Sequence, residues 1–331
     1  MTFLSQLLPG RNVGVKPSDV VDLDVSALMS ERSGFAAEVV GGYHGNVFIV
    51  DTLAESGPTS VRAALADPDP LWIVPIVAGV VSLTSEVTVG SYKTLDCRAG
   101  VLNFDGKRLN ASDACEVILC NFGVRYSDND GITFRGSDMV WCHHLSLTSC
   151  GDGLLDISRA KEAAFTARHT VSWCKFTAHN KCSLVGLHSG DAPFDPYIQA
   201  TYHHNRMHCT QRHPRVAQAK VHAFNNVIFF AAAGMQAYDR GQLRSERNWL
   251  QATGDDKAAH DFDMSPYVNG RINSIADVVA GGAFIRENNP GGVFVPSYAY
   301  TADTMNAALR DHILDFAGAK MSITNALAAA A

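Results

Sequence analysis

Short apolar segments recur through the middle of the chain, and each runs into a polar turn. They are Val117–Asn121, Val140–His143, Val171–Lys175, Ala200–Asn205, His222–Asn226 and Ser245–Asn248. Their β-branched and aromatic content and their brevity read as strands. Measured from last residue to last residue, the steps are 22, 32, 30, 21 and 22. A step near 22, with two or three short strands per repeat, is what one coil of a parallel β-helix needs. The expected fold is therefore all-β, a right-handed parallel β-helix. Each strand then bonds to strands one turn above and below, about 4.8 Å away, and equivalent positions stack in columns.

On this spacing Cys120, Cys142 and Cys174 share one column, as small apolar core residues. Asn121, Asn205, Asn226 and Asn248 read as a polar ladder at a turn, where side-chain amides bond one another and the backbone. The two long steps hold roughly 8 to 10 extra residues each, which is loop-sized. Those loops are placed at Ser149–Lys161 and Thr177–Tyr197, on the face where solenoid insertions usually bind ligands.

Outside the repeats, Thr59–Ala66 reads as a short helix capped by Thr59 or Ser60, able to plug the open end of the solenoid. Thr301 followed by Leu309, Ile313, Leu314 and Phe316 reads as an amphipathic helix packed outside. Residues 251–292, rich in Asp, Asn and Gly, read as loops. The expected organisation is an N-terminal extension of unknown role over 1–33, the solenoid over 34–320 and a tail over 321–331.

Composition narrows the function. The chain has 331 residues and a formal net charge of −6. It carries no basic run or nucleic-acid motif, so nucleic acid is not an expected partner. An anionic substrate would have to meet a local basic patch set against that global charge. No apolar run is long enough to span a membrane, and Met1–Gly10 lacks a signal peptide's basic start and cleavage site. The eight cysteines form no CxxC pair and are too sparse for a disulfide scaffold, so they read as buried free thiols.

Charged residues converge when measured from the repeats. Asp128 and Asp130 follow one segment and Asp152 and Asp156 the next; Lys181 and then Arg212 with Arg215 follow the two after. In stacked coils, acids on two turns face bases on the next two. Close carboxylates repel unless a cation sits among them, and hard oxygen ligands suit Ca²⁺. The alternative is that some are turn aspartates, since Asp128-Asn129-Asp130-Gly131 is also a good turn sequence. The many histidines, among them His143, His144, His203, His204 and His222, read as stacked or surface residues rather than a zinc site.

These residues carry a resemblance. Gly34-Phe35-Ala36-Ala37, Gly41-Gly42 and Val50–Leu65 are similar to the opening blocks of polysaccharide lyase family 1, the pectate lyases. Asp128-Asn129-Asp130, Val140-Trp141, Asp152–Ile157 and His179-Asn180-Lys181 follow in order. So do His203-His204-Asn205, Gln211-Arg212-His213-Pro214-Arg215, Val221–Asn226 and Val295–Tyr300. The match runs from about residue 34 to about 320.

The resemblance implies Ca²⁺ held by Asp128, Asp130, Asp152 and Asp156. It implies Arg212 as the proton-abstracting base, and Lys181 and Arg215 as partners of the substrate's carboxylates. The chain departs from the family pattern at His143, where an acid is usual, at Ala217, where a second basic residue is usual, and over residues 1–33.

The chemistry fits such a set. In a uronate the C5 proton lies beside a carboxylate, and neutralising that charge eases its removal before the C4 oxygen leaves. Arginine is a poor base at its ordinary pKa above 12, so positioning must supply much of the effect. The expected partner is an acidic polysaccharide met outside the cell, by a secreted enzyme or a virion-associated one, the latter as a homo-oligomer. Two other readings stand beside the lyase. One is a glycoside hydrolase using two of the aspartates. The other is a carbohydrate-binding β-helix or depolymerase of a phage particle.

Overall fold

The computed structural model describes residues 3–161, 166–261 and 269–320. Three parallel faces wind into a β-helix. Face A runs through Asn46–Val50, Leu71–Pro75, Lys93–Asp96, Cys115–Cys120, Asp138–His143, Ala167–Ser172, Ile198–His203, Lys220–Phe224, Gln242–Glu246 and Arg271–Ile275. Gly10–Asn12 adds an antiparallel strand to its edge. Face B runs from Gly79–Ser82 through Ser146–Thr148 and Arg206–Gln211 to Val278–Ala280. Face C runs from Val87–Thr88 through Ile132–Arg135, Gly153–Ser158, Arg215–Ala217 and Met235–Tyr238 to His260–Asp261. The long strand Lys175–Val185 serves both: its first half pairs on face B and its second half on face C.

The strands pair between coils because a single short strand has no partner within its own coil. Alternation along each strand then decides what enters the core. On face A one inward column is Leu119, Cys142, Val171, Tyr202, Ala223 and Ser245. The large Tyr202 sits between Val171 and the small Ala223, and its buried hydroxyl bonds Ser183 Oγ at 2.8 Å.

The turn after face A repeats a backbone device. Asn121, His144, Trp173, His204, Asn225, Arg247 and Ala276 all take positive φ, between 50° and 64°. Each such residue costs roughly 1–2 kcal/mol without glycine. Stacking offsets part of that: Trp173 lies 4.6 Å from His204 and 5.9 Å from His144, both nearly parallel.

One residue further on, Asn205 Nδ2 donates to Asn226 Oδ1 and Asn226 Nδ2 to Asn248 Oδ1, both at 2.9 Å. Asn248 continues the ladder to Asp277 Oδ1. Asn121 is not part of it: it sits one position earlier and bonds Cys97 O and the backbone of Lys320. The expected cysteine column also fails. Cys120 pairs with His143, and Cys142 with Leu119, so the two sulfurs point to opposite sides of the sheet. All eight cysteines are free.

The end helix is as expected. Helix α2 (Val61–Ala66) is capped by Ser60, whose Oγ accepts from Ala63 N, and buries Val61, Ala64 and Leu65 against the first coils. Before it, α1 (Val25–Ser30) belongs to the N-terminal segment, where Leu4, Val20, Leu23 and Leu28 cover the outside of face A at Trp72, Ile118 and Trp141. Helix α3 (Ala307–Phe316) starts from Asn306 rather than Thr301 and packs Ile313 outside face B, beside Val227.

Both expected loops are part strand. Gly153–Ser158 lies inside the first, and Lys175–Val185 runs into the second; the described residues 159–161 and 186–197, just before face A, are without strand. Residues 251–292 are not all loop either, since Arg271–Ile275 and Val278–Ala280 build a further coil. The tail 321–331 lies outside the described residues. No helix among the described residues is long and apolar enough to cross a membrane.

Candidate functional site

Face C sets the register of the charged residues. Asp156 pairs with Leu184, Leu184 with Arg215, and Arg215 with Gln236, so one column crosses four coils. Gly153 pairs with Lys181, and Lys181 with Gln211, the neighbour of Arg212. The parallel stacking places Asp152, Asp156, Lys181, Arg212 and Arg215 on one side of the solenoid.

Asp130 and Asp156 form its acidic centre. Asp130 is buried; its Oδ1 accepts from Gly153 N at 2.9 Å and its Oδ2 from Thr133 Oγ1 at 3.0 Å. Asp156 Oδ1 accepts from Leu184 N at 3.0 Å. Desolvation, and then the charge of Asp130, push the Asp156 carboxyl up to about 7. Gly153 keeps these acids close: a Cβ there would fall 2.5 Å from Asp156 Oδ1.

The outer acids are held by lysines. Asp152 forms an ion pair with Lys181, and its backbone carbonyl accepts from His179. Asp128 is exposed and pairs with Lys107 Nζ at 2.5 Å, which holds its carboxyl below the usual range. As they stand, no three His, Cys, Asp or Glu side chains among the described residues are placed to hold a metal ion. The donor chemistry is that of a hard cation all the same. Oxygen is the donor type throughout, Asp130 and Asp156 repel each other with only partial relief from Arg212 and the Leu184 N–H, and at Gly153 a side chain would clash with the Asp156 carboxylate.

The bases approach from the next coils. Arg212 has φ 66°, and its carbonyl accepts from Ser183 N at 2.9 Å. Its Nε is buried without a hydrogen-bond partner, and its charge is felt at Asp156 and at Arg215. Arg215 lies over the Tyr238 ring at 4.2 Å. Burial, partly offset by Tyr238, holds the Arg215 guanidinium below its ordinary pKa. Sequence spacing brings out neither Tyr238 nor Lys107, because both meet their partners only through coil stacking.

Close carboxylates beside cations from the next coils suit recognition of an anion and proton transfer at its α-carbon. A family model described as pectate lyase matches residues 113–322. Probable pectate lyase 13 of Arabidopsis thaliana is 27% identical over 315 residues, covering 86% of this chain and 61% of its own length. Pectate lyase 1 of Ambrosia artemisiifolia is 31% identical over 229 residues, covering 60% of this chain and 56% of its own length.

Among solved structures, jun a 1, the major allergen from cedar pollen, superposes with a TM-score of 0.79 at 22% identity, covering 91% of this chain and 96% of that one. Pectate lyase Bsp165PelA from Bacillus sp. N165, in complex with trigalacturonate, superposes with a TM-score of 0.68 at 22% identity, covering 86% and 98%. The curated relatives are longer proteins, and this chain spans about three fifths of the two described.

Proposed function

The chain belongs to the pectate lyase family, and on that premise we propose that it cleaves a uronate-containing, pectate-like polysaccharide by β-elimination with Arg212 as base. One observation carries the reading. Asp130 and Asp156 sit together around Gly153, and Arg212, Lys181 and Arg215 face them from the next two coils.

Asp130, Asp152 and Asp156, with Asp128 from the turn before, would hold Ca²⁺. When bound, the cation neutralises the uronate and acidifies its C5 proton. Lys181 exchanges Asp152 for the substrate carboxylate, keeping one positive charge against one negative. Arg215, braced on Tyr238, meets a sugar carboxylate from the other side. Arg212 reaches the same space with a half-buried guanidinium that no carboxylate pins by an ion pair among the described residues. In its neutral guanidine form, after releasing a proton to solvent, it takes the C5 proton; the C5–H electron pair becomes the C4=C5 double bond, and the C4–O bond breaks. The leaving oxygen collects a proton from solvent. Positioning on rigid strands supplies the effective concentration.

The test is ultraviolet absorbance of the unsaturated product on polygalacturonate, with and without chelator. The expected result is calcium-dependent growth that falls by about 10³-fold or more in Arg212→Ala, as for loss of a base with its positioning. Growth untouched by Arg212→Ala overturns the assignment of the base. Cleavage without absorbance, unaffected by chelator, would mean hydrolysis.

A further inference from the structure

A second charged feature lies away from the acids, where face C turns into face A. We infer that this groove is an auxiliary uronate-binding site that holds the polymer through Lys220, Arg240, Arg271 and the ring of Tyr197. Its volume is about 410 Å³, and Gln199 and Gln218 complete the lining that matters. The ligand class rests on the lyase reading; the site itself does not.

Register builds it. Gln199, Lys220, Gln242 and Arg271 are successive rungs of one face A column. Cations alternate with amides along the solenoid axis, so charge repeats at every second rung, roughly 10 Å apart. A chain carrying −6 overall gathers three cations in one groove. Its neighbouring acid, Asp239, is engaged in part: Oδ2 accepts from Ser189 N at 2.7 Å, while Oδ1 forms a 3.6 Å ion pair with Arg240 Nε.

The groove is held rigid, and Lys220 and the exposed part of Arg240 stay open to a ligand. Gln218 is fixed by donating to Leu187 O and Ala192 O, and its Oε1 accepts from Arg240. Asp239 and Arg240 take successive positive φ values of 44° and 64°, which turns Arg240 outward; 59% of its side chain is exposed. Arg271 is tethered through Gly292 O. The Lys220 ammonium has no ion pair among the described residues. Tyr197, 38% exposed, offers a ring on which a sugar face can lie. Planar guanidinium, ammonium, amide and aromatic ring are the set that recognises a carboxylated sugar.

The experiment is affinity electrophoresis through polygalacturonate in chelator, where turnover is silent. The wild type should be retarded, and Lys220→Gln/Arg240→Gln should bind about tenfold more weakly, as for loss of two charge-assisted contacts. The double variant should keep its thermal midpoint and its calcium-dependent turnover of trigalacturonate. Tyr197→Ala should weaken retardation without altering its salt dependence. Retardation unchanged in the double variant, or absent in the wild type, overturns the site. Equal retardation by dextran sulfate overturns the uronate assignment. Failure of turnover alone would sink the catalytic reading and leave the groove standing.

Discussion

The guanidinium carbon of Arg215 sits 4.2 Å from the centroid of the Tyr238 ring, one coil further along face C. The contact keeps a half-buried cation in place with no ion pair to it among the described residues. A desolvated cation–π contact is worth about 1–2 kcal/mol, a factor of roughly 5 to 30. Tyr238→Ala should therefore raise KM by about that factor and lower kcat less. Tyr238→Phe keeps the ring and should stay within about threefold of wild type. Equal loss in both variants would show that the hydroxyl, not the ring face, is what matters.

Asp156 makes a second prediction, about stability. Its folded pKa of about 7 lies above the ordinary 3.8, so the protonated form is the favoured one in the fold. Any stability it contributes is present below the unfolded value and is lost as pH rises through 7. At pH 8 and without calcium, Asp156→Asn should raise the thermal midpoint, by about 2–4 °C for each kcal/mol relieved. Added calcium should stabilise the wild type by about 2.7 kcal/mol at a hundredfold excess over Kd. The variant should not respond. Calorimetry with and without calcium reads both effects, and a variant that still responds would remove Asp156 from the cation site.

Buried histidines set the acid limit. Burial lowers His169 and His213 to about 4, and His213 is fully enclosed, its Nδ1 facing Ala233 O. Both stay neutral in the fold but take up a proton near 6.5 once unfolded. The stability they contribute is complete above 6.5 and is lost as pH falls toward 4, by roughly 3 kcal/mol each at the end of that window. Urea midpoints should drop between pH 7 and pH 5, with several protons taken up on unfolding. His213→Gln should flatten that slope by about one proton. A slope unchanged by the substitution would place the uptake on other groups.

The coil repeat was legible because apolar residues alternate on face A, and α2 because Ser60 precedes an apolar run. Phase was harder to read. The segment ends chosen from sequence occupy four different turn positions: His143 ends a strand, Asn121 takes the left-handed place after it, Asn205 the ladder place, and Lys175 starts face B. A residue at positive φ looks like any other in sequence, so the cysteine column fails: Cys142 falls one position before Cys120, and Cys174 two positions after it. Charge convergence was readable from spacing alone. The lysine that holds Asp128 was not, since Lys107 lies on the preceding coil, before the stretch read for charge; Lys181, which the spacing did single out, pairs with Asp152. Residues 251–292 hid strands because turn-forming residues outnumber apolar ones there.

The asparagine ladder gives the sharpest stability test. Asn226 donates to Asn248 Oδ1, Tyr202 O and Phe224 O, and its own Oδ1 accepts from Asn205 Nδ2 and Asn205 N. All three ladder asparagines are fully buried. Asn226→Ala would strand donors and acceptors on two neighbouring coils, and each costs about 1–3 kcal/mol when left unpaired in the interior. The expected loss is about 3–4 kcal/mol, among the larger single-substitution effects. Asn226→Asp should also destabilise, because the carboxylate cannot donate to Asn248, Tyr202 or Phe224. The ladder stands on the turn beside face B, so trigalacturonate turnover at low temperature should persist in whatever fraction stays folded. A loss under about 1 kcal/mol in urea unfolding would mean that water replaces the amide and that the ladder is not a continuous spine.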